Sequence, residues 1–162
     1  MEKNVLVYGA YGHTGRFVVA ELLRRGLTPV LAGRDQARLD GLTGRFPRLR
    51  ARRATVADAD SLDRAIRGTA LVVNCAGPFL DTAVPLAAAA VRAGAHYLDV
   101  TAEQGAAQQV YRAHEELGWP AGVAVIPAMA FYGGLADLLA TTAMADWAAA
   151  DEITVAVGLD RW

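Results

Sequence analysis

Apolar and polar positions follow two rhythms along this chain. Runs of strand length recur at Asn4–Gly9, Thr28–Ala32, Thr69–Cys75, His96–Val100 and Val123–Ile126. Arg50–Val56 reads as a further strand, short and polar, as suits a sheet edge. Between these runs the apolar residues fall at helical spacing. Gly15, Val18, Val19 and Leu22 line one face of a helix that runs to about Arg25 and stops at Gly26. A second helix opens near Asp35, buries Leu39, Leu42 and Phe46, and ends at Pro47. The third, Ser61–Arg67, turns Leu62, Ala65 and Ile66 inward. A fourth spans about Thr82–Ala93, with Val84, Ala87, Ala88 and Val91. Thr101 and Gln104 fit a capping box for a fifth, which buries Ala106, Val110, Ala113 and Leu117. A sixth covers roughly Gly134–Trp147.

Strand and helix alternate throughout, which predicts a parallel sheet with helices on both faces. Right-handed crossovers then give an α/β, doubly wound fold. The end of the chain breaks the rhythm. In Glu152–Leu159 the residues Ile153, Val155, Val157 and Leu159 alternate with smaller or polar ones, the period of a strand buried on one face. The expectation is a dinucleotide-binding domain over residues 1–150, followed at 151–162 by the first strand of a truncated second domain.

Composition narrows the classes. With 162 residues, 54% hydrophobic and 20% charged, the chain reads as one globular domain with a full core. A net charge of −1 gives no general pull toward nucleic acid or an anionic membrane, so neither is expected as a partner. The cluster Arg45, Arg48, Arg50, Arg52 and Arg53 reads as a solvated sheet edge. No apolar stretch reaches the length of a membrane span. Cys75 is the only cysteine, which points to a reducing compartment, and the chain is read as cytoplasmic. Lys3 is the only lysine, so no lysine is placed to act as Schiff base or proton carrier. The histidines His13, His96 and His114 show no metal spacing, and no metal site is expected.

The candidate chemistry begins at Gly9-Ala10-Tyr11-Gly12-His13-Thr14-Gly15, between the first strand and the first helix. Gly9 allows the turn, Gly12 a close approach of phosphate, and Gly15 tight packing of helix on sheet. The first helical amides then face a diphosphate, with Tyr11, His13 and Thr14 in reach. The second strand ends in Gly33 and Arg34, where an NAD site usually carries a carboxylate. An arginine grips a 2′-phosphate that an acid would repel, so NADP is expected over NAD. Arg38, one turn on, is placed to assist. Asp58, at the level of the adenine, could accept from its exocyclic amine or cap the third helix. Asn74-Cys75-Ala76-Gly77-Pro78-Phe79 closes the fourth strand, where small residues admit the nicotinamide ribose and Phe79 walls the nicotinamide. Cys75 itself reads as a buried small hydrophobe. Asp99, Thr101 and Glu103, after the fifth strand, are the candidates for substrate orientation or proton transfer; Thr101 and Glu103 equally suit the start of a helix.

Together these segments resemble the NADP-binding domain of the saccharopine dehydrogenase-like reductases, which include trans-acting enoyl reductases of lipid biosynthesis. The resemblance rests on the glycine loop, Ala32-Gly33-Arg34, Asn74–Phe79, Tyr97–Glu103 and Pro127–Asp137, in that order. It implies a nicotinamide-dependent oxidoreductase acting on a small molecule. It also implies a second, mixed α/β domain that supplies substrate pocket and dimer contacts, hence a homodimer in the full-length form. Hydride would pass to or from an imine, a carbonyl or an activated alkene. A protein that binds NADP without turnover and reports its level to a partner is the alternative.

Overall fold

The computed structural model describes residues 4–131, 133–156 and 158. In chain order the elements are β1 (Val5–Tyr8), α1 (His13–Arg24), β2 (Val30–Gly33), α2 (Gln36–Arg45), β3 (Ala51–Arg53) and α3 (Ala59–Ile66). There follow β4 (Leu71–Asn74), α4 (Phe79–Arg92), β5 (His96–Asp99), α5 (Gln104–Leu117), β6 (Val125–Ile126) and α6 (Gly134–Met144). The strands form one parallel sheet of order β3-β2-β1-β4-β5-β6. This is the doubly wound fold expected from the alternation of elements, with its switch point between β1 and β4.

Alternate residues of the central strands feed two separate cores. Leu6, Tyr8, Ala32, Val72 and Tyr97 pack on α3 and α4. Val5, Val7, Leu31 and Val73 pack with Val19 of α1 and with Leu39 and Leu42 of α2. Because both faces are covered, these strands are apolar throughout. Leu6 and Val7 are fully buried, and each such side chain contributes about 1.5–3 kcal/mol. The polar strand β3 is indeed the edge, and Arg52 on it donates to the Ala65 and Arg67 carbonyls.

The register brings the strand ends to one level. Tyr8 pairs with Ala32 and with Asn74, and Asn74 pairs with Asp99. The loops carrying the glycines, Arg34, Cys75 and Val100 therefore emerge side by side above the sheet.

Four expectations need correction. α4 starts at Phe79, with Pro85 inside it, and its deepest side chains are Thr82, Ala83, Leu86, Ala87, Ala89 and Ala90. Val84, Ala88 and Val91 are only half-buried. An alanine-rich helix offers several equally apolar faces, so spacing could not select the right one. The capping box on Thr101 does not form: Glu103 is the N-cap of α5, and Thr101 Oγ1 accepts the Glu103 N–H at 2.9 Å. Ala106, Val110 and Ala113 are buried as expected, while the Leu117 side chain lies outside the described residues. α6 ends at Met144, short of Trp147. The alternating segment from Glu152 forms no strand over residues 152–156 and 158; Val157 and Leu159 lie outside the described residues. A strand needs a partner backbone as well as an apolar face, and no described strand pairs with this one. Leu138 and Leu139 of α6 are 61% and 58% exposed, so apolar surface gathers there instead. Among the described residues, no helix is long and apolar enough to cross a membrane.

Candidate functional site

The loop from β1 to α1 is held by its own backbone. The Gly9 N–H donates to the Ala32 carbonyl at 2.8 Å, and the Gly12 N–H donates to the Gly9 carbonyl at 2.9 Å. Gly9 has φ +78°, and a Cβ there would lie 2.9 Å from the Ala76 Cβ. The glycine loop and the β4 turn thus meet without side chains between them. A Cβ on Gly15 would overlap the Gly9 carbonyl and stand 2.9 Å from the Ala10 Cα. Only glycine lets α1 begin this close to the loop.

Helix N-termini carry unpaired amides and a partial positive charge. Asp35 closes α2 by accepting the Arg38 N–H, and Asp58 closes α3 by accepting the Ser61 N–H. Glu103 reaches over from the β5–α5 loop and closes α4. Its two carboxylate oxygens accept the Phe79 and Leu80 amides at 3.0 and 3.1 Å. α1 differs from all three: Gly12 provides no side-chain cap, and its first turn holds no acid. Of the helices α1 to α4, it alone is left open to an anion.

A cavity of about 430 Å³ opens at this point. Gly9, Tyr11, Gly12, His13 and Thr14 form one wall, and Gly33 and Arg34 a second. Cys75, Ala76, Gly77 and Phe79 form the third. The cavity is therefore an elongated cleft crossing the ends of β2, β1 and β4. Its open helix end and glycine floor fit a dinucleotide, whose diphosphate needs backbone approach.

The remaining sequence candidates are placed as follows. Gly15 and Pro78 lie behind the lining; Pro78 is the N-cap of α4 and follows a cis peptide bond. Arg34 is exposed on the cavity and makes no ion pair among the described residues. Its carbonyl accepts from Arg53 Nε at 3.1 Å. Arg38 stands outside the lining, with its guanidinium carbon 5.6 Å from the centre of the Tyr11 ring. Asp58 also lies outside the lining; the α3 cap and a 3.7 Å contact to Arg64 occupy its carboxylate, so capping is the role the geometry gives it.

Asn74 is fully buried beneath the cavity. Its amide donates to Thr82 Oγ1 and to the Tyr97 hydroxyl, both at 3.1 Å, and its oxygen accepts the Ala76 N–H at 3.0 Å. The Tyr97 hydroxyl donates to Asp99 at 2.9 Å. The other Asp99 oxygen accepts the Thr101 N–H at 3.0 Å and the Ala128 N–H at 2.9 Å. This chain of bonds ties β4, α4, β5 and the segment after β6 together. Burial, and then the Asp99 charge, push the Tyr97 hydroxyl well above the usual tyrosine range.

The three proton-transfer candidates are joined by hydrogen bonds to one another and turned away from the cleft. Asp99 and Thr101 are buried in the network, and Glu103 caps α4; none of them lines the cavity. Cys75 does line it, yet burial, helped by the Asp99 charge, pushes its thiol up to about 12. It sits as the buried small side chain expected from the sequence. The folded chain should therefore react with iodoacetamide at pH 8 far more slowly than the urea-unfolded chain. Equal rates, followed by mass spectrometry, would contradict this. Tyr8, Thr55, Val56, Thr82 and Val100 complete the lining and were not singled out from the sequence as site residues. Only Thr55 and Val56 carried a signal, their place just before Asp58, the residue expected at the level of the adenine.

The family model of the saccharopine dehydrogenase NADP-binding domain matches residues 5–125. A probable mitochondrial saccharopine dehydrogenase-like oxidoreductase of Arabidopsis thaliana is 29% identical over 143 residues, covering 79% of this chain and 32% of that protein. A trans-acting enoyl reductase of Mycobacterium tuberculosis is 32% identical over 108 residues, covering 63% of this chain and 26% of that protein. The apo structure of saccharopine dehydrogenase (L-Glu forming) from Saccharomyces cerevisiae superposes with TM-score 0.71 at 20% identity, covering 88% of this chain and 30% of that one. This last likeness is one of fold. The chain spans about a third of the length of the Arabidopsis relative. A regulator that senses NADP without turnover gains no support, since these relatives are an oxidoreductase and a reductase.

Proposed function

This chain belongs to the saccharopine dehydrogenase NADP-binding domain family, and we propose that it serves as the cofactor half of an NADP-dependent oxidoreductase acting on a small molecule. The observation that carries the reading is the open N-terminus of α1 facing a glycine-floored cleft, beside neighbours closed by carboxylates.

In this reading the amides of His13 and Thr14, with the backbone of Gly9 and Gly12, hold the diphosphate. Arg34 takes the 2′-phosphate through its planar fork, with Arg38 adding charge. Thr55 and Val56 flank the adenine. Cys75, Ala76, Gly77 and Phe79 border the nicotinamide, and Phe79 excludes water from that end. When bound, NADPH supplies a hydride for an imine, a carbonyl or an activated alkene. The task of this chain is to bind and orient. The Asn74–Tyr97–Asp99 network keeps the β4 turn fixed in position. Among the described residues the cavity carries no lysine, and Asp99, Thr101 and Glu103 are occupied elsewhere. Proton transfer and substrate choice then fall to a second domain, such as would account for the greater length of the relatives. The exposed α6 leucines are the surface such a domain, or the second subunit of a homodimer, would meet. We place the reaction in the cytoplasm, because the one cysteine needs no oxidising compartment.

Arg34→Ala tests the reading. It removes a charge-assisted contact made only to the 2′-phosphate, about 1.5–3 kcal/mol. NADPH affinity should fall roughly tenfold to a hundredfold while NADH affinity stays nearly unchanged. Calorimetry showing equal losses for both nucleotides would overturn the assignment of Arg34.

A further inference from the structure

We propose that Tyr11 sets the choice of nucleotide by position: its ring fills the space over Gly33 where an NAD-selective site needs a carboxylate, and it holds the Arg38 guanidinium over its face. The inference rests on the reading of the cleft as a dinucleotide site with Arg34 at the 2′-phosphate.

Three contacts fix the ring. Below it lies Gly33, the last residue of β2. A Cβ on Gly33 would stand 2.6 Å from Tyr11 Cε1 and 3.1 Å from its hydroxyl oxygen. Real side chains do not approach this closely, so the ring and any side chain at residue 33 exclude one another. At its edge, the Tyr11 hydroxyl accepts the Asp35 N–H at 3.2 Å. Over its outer face sits the Arg38 guanidinium, at 5.6 Å from the ring centre, within range of a cation–π contact. Asp35 also holds Arg38, with Nε 3.5 Å from its carboxylate. The half-buried ring thus links the glycine loop to the first turn of α2.

Two consequences follow. An acid placed at residue 33 cannot by itself turn the site toward NAD, because it must first displace the ring. Displacing the ring also takes away the aromatic face on which the Arg38 guanidinium rests. Glycine at the end of β2 and tyrosine two residues after Gly9 are therefore one device, and substitutions at the two positions are coupled.

The test measures Kd for NADPH and for NADH on each protein, and takes their ratio. A partly unfolded variant loses both affinities by the same factor, so the ratio is insensitive to misfolding. Tyr11→Phe keeps the ring and should leave the ratio within about twofold of the wild type, whereas Tyr11→Ala should lower the NADPH preference about fivefold. Gly33→Asp alone should weaken both nucleotides. Gly33→Asp combined with Tyr11→Ala should bind NADH more tightly than Gly33→Asp alone. A wild-type NADPH preference that Tyr11→Ala leaves intact would overturn the role of Tyr11 and spare the cofactor reading. A folded wild-type chain that binds neither nucleotide would overturn both.

Discussion

Asp99→Ala is expected to melt far below the wild type. The substitution leaves three donors without an acceptor: the buried Tyr97 hydroxyl and Thr101 amide, and the half-buried Ala128 amide. An unsatisfied buried group costs about 1–3 kcal/mol, so the sum after relaxation is about 3–5 kcal/mol. For a chain of this size that corresponds to roughly 10 °C or more in Tm. Asp99→Asn keeps one acceptor oxygen and the volume, and should lose less. Circular dichroism melts distinguish this from a catalytic role. If Asp99 were a proton carrier with no part in the fold, its alanine variant would melt with the wild type. The Ala128 amide makes the test sharper, because Ala128 has φ +60°, an uncommon conformation for alanine that the Asp99 bond helps to hold.

Gly15→Ala should be strongly damaging for a single added methyl group. Its Cβ would meet backbone on two sides, the Gly9 carbonyl and the Ala10 Cα. Backbone cannot swing aside as a side chain does, so α1 must lift from the loop. Overpacking of this kind costs about 1–3 kcal/mol and more where the backbone is pinned. The loss of NADPH affinity should exceed the loss of stability, because the amides of His13 and Thr14 move with the helix. Gly12→Ala is the control for stability alone: its Cβ would lie 3.1 Å from the Gly9 carbonyl, a tight but single contact. A Gly15→Ala chain that melts and binds like the wild type would contradict the packing described for α1.

Much of this was legible in the sequence, because it is written in local signals. The apolar runs of β1, β2 and β4 mark strands covered on both sides, and glycines 9, 12 and 15 mark a helix start with no side-chain cap and no acid in its first turn. Arg34 could be placed on the cavity from its position after a strand ending in glycine. What was not legible depends on partners distant in the chain. A buried aspartate and a solvent-facing one look alike at the end of a strand; the Ala128 amide that helps to hold Asp99 lies 29 residues on. Glu103 was read against its own helix, yet it caps α4, whose Phe79 precedes it by 24 residues. The same holds for Gly33 and Tyr11, whose contact joins two loops. The face of α4 was obscured by alanine, and the alternation after Asp151 promised a strand for which no described strand serves as partner.

The most direct measurement is a crystal structure of the chain grown with NADPH. The diphosphate should lie against the His13 and Thr14 amides, with the 2′-phosphate within hydrogen-bond distance of the Arg34 guanidinium. A nucleotide bound elsewhere, or a glycine loop with no diphosphate at saturating NADPH, would contradict the site described above.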